Sequence, residues 1–389
     1  MKVTFLTGEY PPMQGGIADY TAILAQQLQK LDVRPSVLIS RAYRRPPATT
    51  PITVYPDVQS WGLRCWQDIG KFLERHPTDI LHIQYQAAAF DLGGWVNWLP
   101  WFLRRRRNRP KFVTTFHDLR IPYLFPKAGF LRWQSILALA RYSDAVICTN
   151  PEDEATLHHY PWATHLTQIP LGTNIPLNPP PDYDRQVWRN ELGFAEQSVV
   201  LAYFGFLNES KGGEDLIAAL AALVERGQDA RLLIIGGELG DSDPANRAYA
   251  QRIRQLIAER DLASRIVFTG YVDLPQVSAH LLAADLAVMP YRDGVSFRRT
   301  TLIAILQHGL PVISTTPAIC LPQIVDGENM LLVPPADAPA LSEAVIRVAS
   351  DPDLAKHLGQ GASMLGASFD WAQIAARTAQ LYASLLQGA

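Results

Sequence analysis

The sequence predicts an α/β fold made of two doubly wound parallel sheets, on three observations. Short apolar runs rich in Val, Ile and Leu alternate with segments of helical periodicity along nearly the whole chain. The alternation pauses once, at the breaker-rich stretch Pro170–Pro181, and then restarts on the same plan. The length of 389 residues suits two domains better than one, since domains of roughly 100–200 residues are the rule.

In the first half, Val3–Thr7, Ser36–Ser40, Ile80–Tyr85, Lys111–Phe116, Ala145–Thr149 and Leu166–Ile169 read as strands. Most are continuously apolar, which marks parallel strands covered on both faces. Between the first two, Ile17, Tyr20, Leu24, Leu28 and Leu31 recur at steps of three and four, the stripe of an amphipathic helix. After the proline-rich linker, strands are predicted at Val199–Phe204, Arg231–Ile235, Ile266–Gly270, Leu286–Pro290, Val312–Ser314 and Met330–Val333. The expected domains are residues 1–175 and 176–369. A last helix, with Ile374, Leu381 and Leu385 on one face, is expected to cross back so that 370–389 join the first domain. Strands alternating with helices make parallel sheets, and such sheets bind ligands outside the carboxyl ends of their strands. Two such halves are expected to face each other across a cleft, with the loops after the strands carrying the chemistry.

Composition excludes several classes. The chain is 48% hydrophobic with a formal net charge of −2, ordinary for a globular protein. Residues 1–175 carry 19 Lys and Arg against 13 Asp and Glu, whereas 176–389 carry 16 against 24, so the front half is the one expected to face something anionic. The acidic second half and the localised arginines argue against nucleic acid. The three cysteines, Cys65, Cys148 and Cys320, have neither metal-ligand spacing nor an even count. They fit a reducing compartment. No signal-peptide pattern follows Met1, and no apolar run reaches the ~20 residues of a membrane-spanning helix. A cytoplasmic protein is expected.

Five loops stand out. Gly8–Gly16 follows the first strand and opens a helix; Gly15 and Gly16 let a ligand approach the backbone, and helix-start amides favour anions. A plain tight turn explains the glycines equally well, and the loop is not a dinucleotide fingerprint. His117, with Asp118, ends the Lys111–Phe116 strand, where an imidazole can hydrogen-bond a sugar hydroxyl or shuttle a proton. Lys211, in the loop Gly205–Gly213, precedes a glycine pair and a helix, a placement that suits a pyrophosphate. Arg298, Arg299, Thr300 and Thr301 combine two guanidinium forks, two hydroxyls and a helix start into an oxyanion cradle. Finally, Trp95, Trp98, Trp101, Phe102 and Leu103 run into Arg104–Arg107, and Arg41, Arg44 and Arg45 add charge to the same half. Aromatic and basic residues together suit an anionic membrane surface; a core-packed helix ending in a solvated basic turn is the alternative.

Together these loops resemble glycosyltransferase family 4, retaining enzymes of GT-B fold, over nearly the whole chain. The resemblance is carried by Gly-Glu-Tyr-Pro-Pro…Gly-Gly16, Thr-Phe-His-Asp118, Ile-Pro-Leu-Gly-Thr-Asn174, the Lys-Gly212 loop and His-Gly-Leu-Pro-Val312. It implies that Lys211 contacts the donor diphosphate and that His117 contacts the transferred sugar. Gly15 and Gly16 would lie near donor phosphate and acceptor, with Tyr20 and Asp118 on the acceptor side. Gly205, Gly212, Ser296, Thr300 and Thr301 would line the donor site, and Gly270, Tyr271 and Val272 would hold the base. Two departures stand against this pattern. Phe206 occupies the place of the family's loop arginine, and Ser296 and Ala304 occupy the places of its paired glutamates. Arg298 and Arg299 are available to replace the missing phosphate cation.

The expected function is transfer of a hexose from a nucleoside-diphosphate sugar to an acceptor hydroxyl with retention, using no metal and no further cofactor. Lys211, Arg298 and Arg299 would stabilise the leaving diphosphate. The acceptor is expected to be a lipid or polysaccharide precursor, met peripherally at the inner face of the membrane. The rivals are a catalytically impaired binding or scaffold protein, favoured by the lost glutamates, and a sugar-nucleotide epimerase of the same fold.

Overall fold

The computed structural model describes residues 1–13, 15–43, 51–119, 129–163, 165–236 and 244–387. The chain divides into two compact units. One is Met1–Gly172 with Asp370–Ala389, and the other is Thr173–Phe369. The chain leaves the first unit after Gly172, slightly before the boundary expected at residue 175.

The first unit holds β1 (Lys2–Leu6), α1 (Gly16–Gln29), β2 (Arg34–Ser40), β3 (Thr53–Val58), α2 (Cys65–Arg75), β4 (Ile80–Tyr85), α3 (Leu99–Leu103), β5 (Lys111–Phe116), α4 (Gly129–Tyr142), β6 (Ala145–Cys148), α5 (Pro151–His158) and β7 (Leu166–Gln168). The second holds α6 (Arg185–Glu191), β8 (Val199–Phe204), α7 (Gly213–Glu225), β9 (Ala230–Ile235), α8 (Pro244–Glu259), β10 (Ile266–Phe268), α9 (Leu274–Ala283), β11 (Leu286–Met289), α10 (Thr300–Gln307), β12 (Val312–Thr315), β13 (Leu331–Val333), α11 (Ala338–Ser350) and α12 (Pro352–Ala367). The last helix, α13 (Trp371–Gln387), returns to the first unit, where it packs on α1.

The sheets run β3-β2-β1-β4-β5-β6-β7 and β10-β9-β8-β11-β12-β13. The paired strands are parallel throughout. Each sheet reverses its order beside its first strand, between β1 and β4 and between β8 and β11. These switch points open crevices at the carboxyl ends, so the loops after β1, β4, β8 and β11 inherit the best-placed positions.

The strand β3 escapes a reading based on apolar runs. Its sequence Thr-Val-Tyr-Pro-Asp-Val is only partly buried, and it lies at the sheet edge, where a proline is tolerated because one side needs no ladder hydrogen bond. His117 therefore follows the fifth strand rather than the fourth.

Alternation along the central strands covers the first sheet on both faces. Val3 and Phe5 join Leu24, Leu28, Ile374 and Tyr382 on the side of α1 and α13. Leu6, Leu81 and Phe112 join Ile69, Phe72 and Leu103 on the side of α2 and α3. Each such side chain contributes about 1.5–3 kcal/mol on burial. The predicted stripe of α1 is buried at Ile17, Tyr20, Leu24 and Leu28, but Leu31 lies beyond the helix and is exposed. The helix stops at Lys30, and Asp32 takes a left-handed backbone.

Candidate functional site

In the second unit, β8 is followed directly by Gly205, whose φ of +118° no ordinary side chain adopts comfortably. A Cβ there would sit 3.2 Å from the Lys211 Nζ and 3.5 Å from the Thr301 methyl. The missing side chain thus leaves a small hollow floored by backbone and walled by an ammonium and a threonine. Gly212 is required on two grounds. Its φ is +68°, and a Cβ would come within 1.9 Å of the Pro290 carbonyl oxygen. That close approach pins the Lys211 loop to the end of β11.

Arg292 strengthens the same junction. Its guanidinium bonds Asp215 at 2.8 Å and Glu214 at 3.0 Å, and its amide donates to the Ser210 carbonyl. The acids of the first turn of α7 are thereby neutralised by Arg292, and its pKa rises chiefly through the Asp215 hydrogen bond. Lys211 has no such partner. Among the described residues no carboxylate reaches its ammonium, and burial, together with the Arg299 charge, pushes its pKa down to about 8.

Arg299 lies over the Tyr291 ring with its guanidinium carbon 3.9 Å from the centroid. It also pairs with Asp293 and donates to the Gly294 carbonyl at 3.2 Å and to the Ser296 hydroxyl at 3.5 Å. Of the two arginines predicted to act together, Arg299 is the one whose charge bears on Lys211; Arg298 is half-buried on the same loop. The helix α10 begins at Thr300, so both threonines lie in its first turn. Ala304 is fully buried in that helix, whereas Ser296 is half-buried as an acceptor for Arg299. Neither place offers an acid.

Phe206 is exposed, and its carbonyl accepts from the Tyr203 hydroxyl. Tyr271 is 91% exposed in the loop after β10, and Val272 is half-buried. Both stand just ahead of Asp273, which caps α9 reciprocally with Gln276. His308 is a structural histidine. One ring nitrogen meets the Ala304 carbonyl and the other the Ser278 hydroxyl, which also accepts from the Asn178 amide.

In the first unit, His117 continues β5, and its amide donates to the Tyr85 carbonyl. Its Nε2 lies 2.8 Å from Gln84 Oε1 on β4. The Tyr20 ring meets the imidazole edge-on at 4.8 Å, and Trp371 of α13 also packs on Tyr20, at 5.2 Å. Tyr20 is therefore buried in contact with both rings, not offered to an acceptor as expected. Burial pushes the His117 pKa down to about 3, so the imidazole is neutral. Beneath it His82 is buried between the Tyr382 hydroxyl and the Thr115 hydroxyl. Asp118 accepts from Gln86 at 2.9 Å.

The glycine loop holds a feature not anticipated from sequence. A Cβ on Gly15 would fall 2.2 Å from Glu9 Oε2, so that carboxylate rests against Gly15. Burial raises its pKa. A second anion is unfavourable at Gly15, while a Cβ on Gly16 would meet nothing within 4 Å.

The basic aromatic stretch is partly surface. Trp95, Trp101 and Phe102 are exposed, as are Phe130 and Leu131 at the start of α4. Arg104 covers the Trp101 ring at 4.8 Å, and Arg106 pairs with Glu74. Leu103 is core, and Trp98 is half-buried. Arg44 and Arg45 lie outside the described residues. No helix among the described residues is long and apolar enough to cross a membrane. No group of three or more His, Cys, Asp or Glu that could hold a metal ion occurs among them either.

Gln84, Glu9, Tyr291 and Arg292 were missed by sequence reasoning. Only Gln84 carried a signal: with His82 it is a polar residue at a two-residue step inside the buried run Ile-Leu-His-Ile-Gln-Tyr.

Comparison with known proteins is consistent across both units. The Glycosyltransferase Family 4 model matches residues 14–175, and the model described as Glycosyl transferases group 1 matches residues 198–351. Mannosylfructose-phosphate synthase of Agrobacterium fabrum is 30% identical over 306 residues, covering 77% of this chain and 63% of that protein. D-inositol 3-phosphate glycosyltransferase of Corynebacterium glutamicum is 27% identical over 246 residues, covering 61% and 56% respectively. The chain thus spans little more than half the length of these curated relatives. Among solved structures, the Anabaena protein HepE in complex with UDP and glucose is similar at a TM-score of 0.74 and 19% identity, over 99% of this chain and 100% of that one.

Proposed function

Because this chain belongs to glycosyltransferase family 4 and has the GT-B fold, we propose that it transfers a hexose from a nucleoside-diphosphate sugar to an acceptor hydroxyl with retention of configuration. The observation that carries the reading is the Lys211 ammonium, which is half-buried without a carboxylate and faces the hollow at Gly205 beside Arg299. An ammonium without a carboxylate, held beside a second cation in a partly desolvated pocket, costs stability in the empty protein. A diphosphate is the ligand that offsets this cost.

In the proposed reaction the bond between the sugar anomeric carbon and the diphosphate oxygen breaks, and the acceptor oxygen bonds to that carbon on the same face. The acceptor proton passes to the departing phosphate oxygen. Lys211 and Arg299 stabilise the charge that develops on the diphosphate, with Thr300, Thr301 and the α10 amides as further donors. Tyr271 and Val272 flank the base. His117 contacts the transferred sugar. The UDP and glucose complex of the Anabaena neighbour supports the donor class. No metal is required where cations and amides do this work. The exposed rings and arginines of the first unit suit an acceptor held at an anionic membrane surface. The protein would act there from the cytoplasm.

The impaired-binder reading rests on Ser296 and Ala304, which leave the donor ribose and sugar without the family's acids. Thermal shift with UDP, GDP, ADP and dTDP, each with and without a sugar, followed by product analysis, separates the readings. A shift lost in Lys211→Ala together with glycoside formation supports transfer. A shift with no product from any acceptor favours the binder. Interconverted nucleotide sugars point to epimerisation.

A further inference from the structure

Gln84 is the buried amide that His117 depends on. It is fully enclosed on β4, and its Oε1 lies 2.8 Å from His117 Nε2. Its own Nε2 has no hydrogen-bond partner. A carbonyl oxygen only accepts, so the proton between the two residues resides on the imidazole. A neutral imidazole carries one N–H, and the bond made at one nitrogen decides the character of the other. Nδ1 is then a bare lone pair, with no partner among the described residues. A buried, half-satisfied amide is retained against its cost when it serves something else.

We propose that Gln84 is a positioning residue that locks His117 in the Nε2–H form, so that Nδ1 accepts a hydrogen bond from a hydroxyl of the transferred sugar. Of the two roles open to His117, the structure assigns that of acceptor and not that of proton donor. Tyr20, in contact with both the imidazole and Trp371, packs edge-on against the ring. The titratable groups that face the imidazole are His82 on β4 and Tyr20 on α1; Asp118, next in the chain, is engaged by Gln86. The inference rests on the proposed transfer reaction for the identity of the hydroxyl, but not for the state of the ring.

The test is a nitrogen-15 imidazole spectrum of the full chain, recorded for the wild type, Gln84→Met and Gln84→Glu. Each is taken alone, with UDP or GDP, and with UDP-glucose or GDP-mannose. The wild type should show a protonated Nε2 and a bare Nδ1 that responds to a nucleotide sugar but not to the nucleotide alone. Gln84→Met should melt close to wild type, because it removes one orphaned donor while taking the acceptor from the imidazole N–H. It should show both tautomers and lose on the order of tenfold or more in kcat while the nucleotide thermal shift persists. In Gln84→Glu the carboxylate keeps the ring protonated, so activity should acquire an ascending acid limb that the wild type lacks. A merely structural glutamine predicts the reverse, a lowered melting point with an unchanged ring spectrum and kcat. A wild-type proton on Nδ1 overturns the inference outright, even if Gln84→Met fails to fold. A bare Nδ1 with no response to any nucleotide sugar instead removes the sugar contact and counts against the transfer reading.

Discussion

Arg299 stacks on Tyr291 with 3.9 Å between guanidinium carbon and ring centroid, and its charge acts on Lys211 through the same loop junction. The pair makes opposite predictions for stability and for binding. Lys211→Met should leave the empty protein as stable as wild type or more so by up to about 3 kcal/mol, since it removes an unpaired, partly buried cation. It should also abolish the nucleotide-induced thermal shift. A destabilised empty variant that still binds nucleotide would remove Lys211 from the site.

The lowered Lys211 pKa fixes a pH dependence. Its pKa falls from 10.5 to about 8 on folding, so between those values the unfolded chain binds the proton and the folded chain does not. Stability from this group therefore rises with pH across that window, and its penalty is complete below about 8. Diphosphate needs the ammonium, so affinity should fall as pH rises through about 8, and binding above it should take up a proton. Calorimetry of UDP binding in buffers of different ionisation enthalpy reads that proton. A flat affinity from pH 7 to 10 contradicts the assignment.

Arg299→Ala should weaken nucleotide binding and, by relieving repulsion, move the Lys211 limb upward. Arg299→Lys keeps a charge but loses the planar fork and the stacking on Tyr291, so it should recover only part of the affinity. Arg298→Ala should have the smaller effect. Equal losses for both arginines would restore the two-guanidinium cradle expected from sequence.

Trp371 opens α13 just after the chain re-enters the first unit, and it packs on Gly172 where the chain leaves it. A Cβ on Gly172 would fall 2.4 Å from the indole Cε2. Gly172→Ala should cost about 1–3 kcal/mol by overpacking, read by urea denaturation. In a Trp371→Leu background the same change should cost much less. Additive losses would mean that the indole is not what excludes a side chain there.

The exposed Trp95, Trp101 and Phe102 beside Arg104 predict sedimentation with anionic vesicles and not with neutral ones. Binding should weaken with salt and after Arg104→Glu with Arg105→Glu. Retention on neutral vesicles at high salt would assign the patch to apolar contact alone.

Much of the fold is legible in the sequence, because a parallel strand buried on both faces is predominantly apolar along its length. The runs Ile80–Tyr85, Lys111–Phe116 and Val199–Phe204 coincide with β4, β5 and β8. The edge strand β3 is not legible, since one side of it needs neither apolar residues nor a complete ladder. Lys211, His117 and the Arg298–Thr301 loop stand out because each follows a strand that apolarity alone locates.

What each of those residues does was decided by partners distant in sequence. Arg292 reaches back to Asp215 to fix the Lys211 loop, Gln84 meets His117 only because β4 pairs with β5, and Trp371 backs Tyr20 only because α13 returns to α1. The sequence by itself determined the central buried strands and the loops that follow them, since burial and periodicity are local constraints. The protonation and orientation of the groups in those loops depend on desolvation and on neighbouring charges. Those are set by tertiary contacts alone.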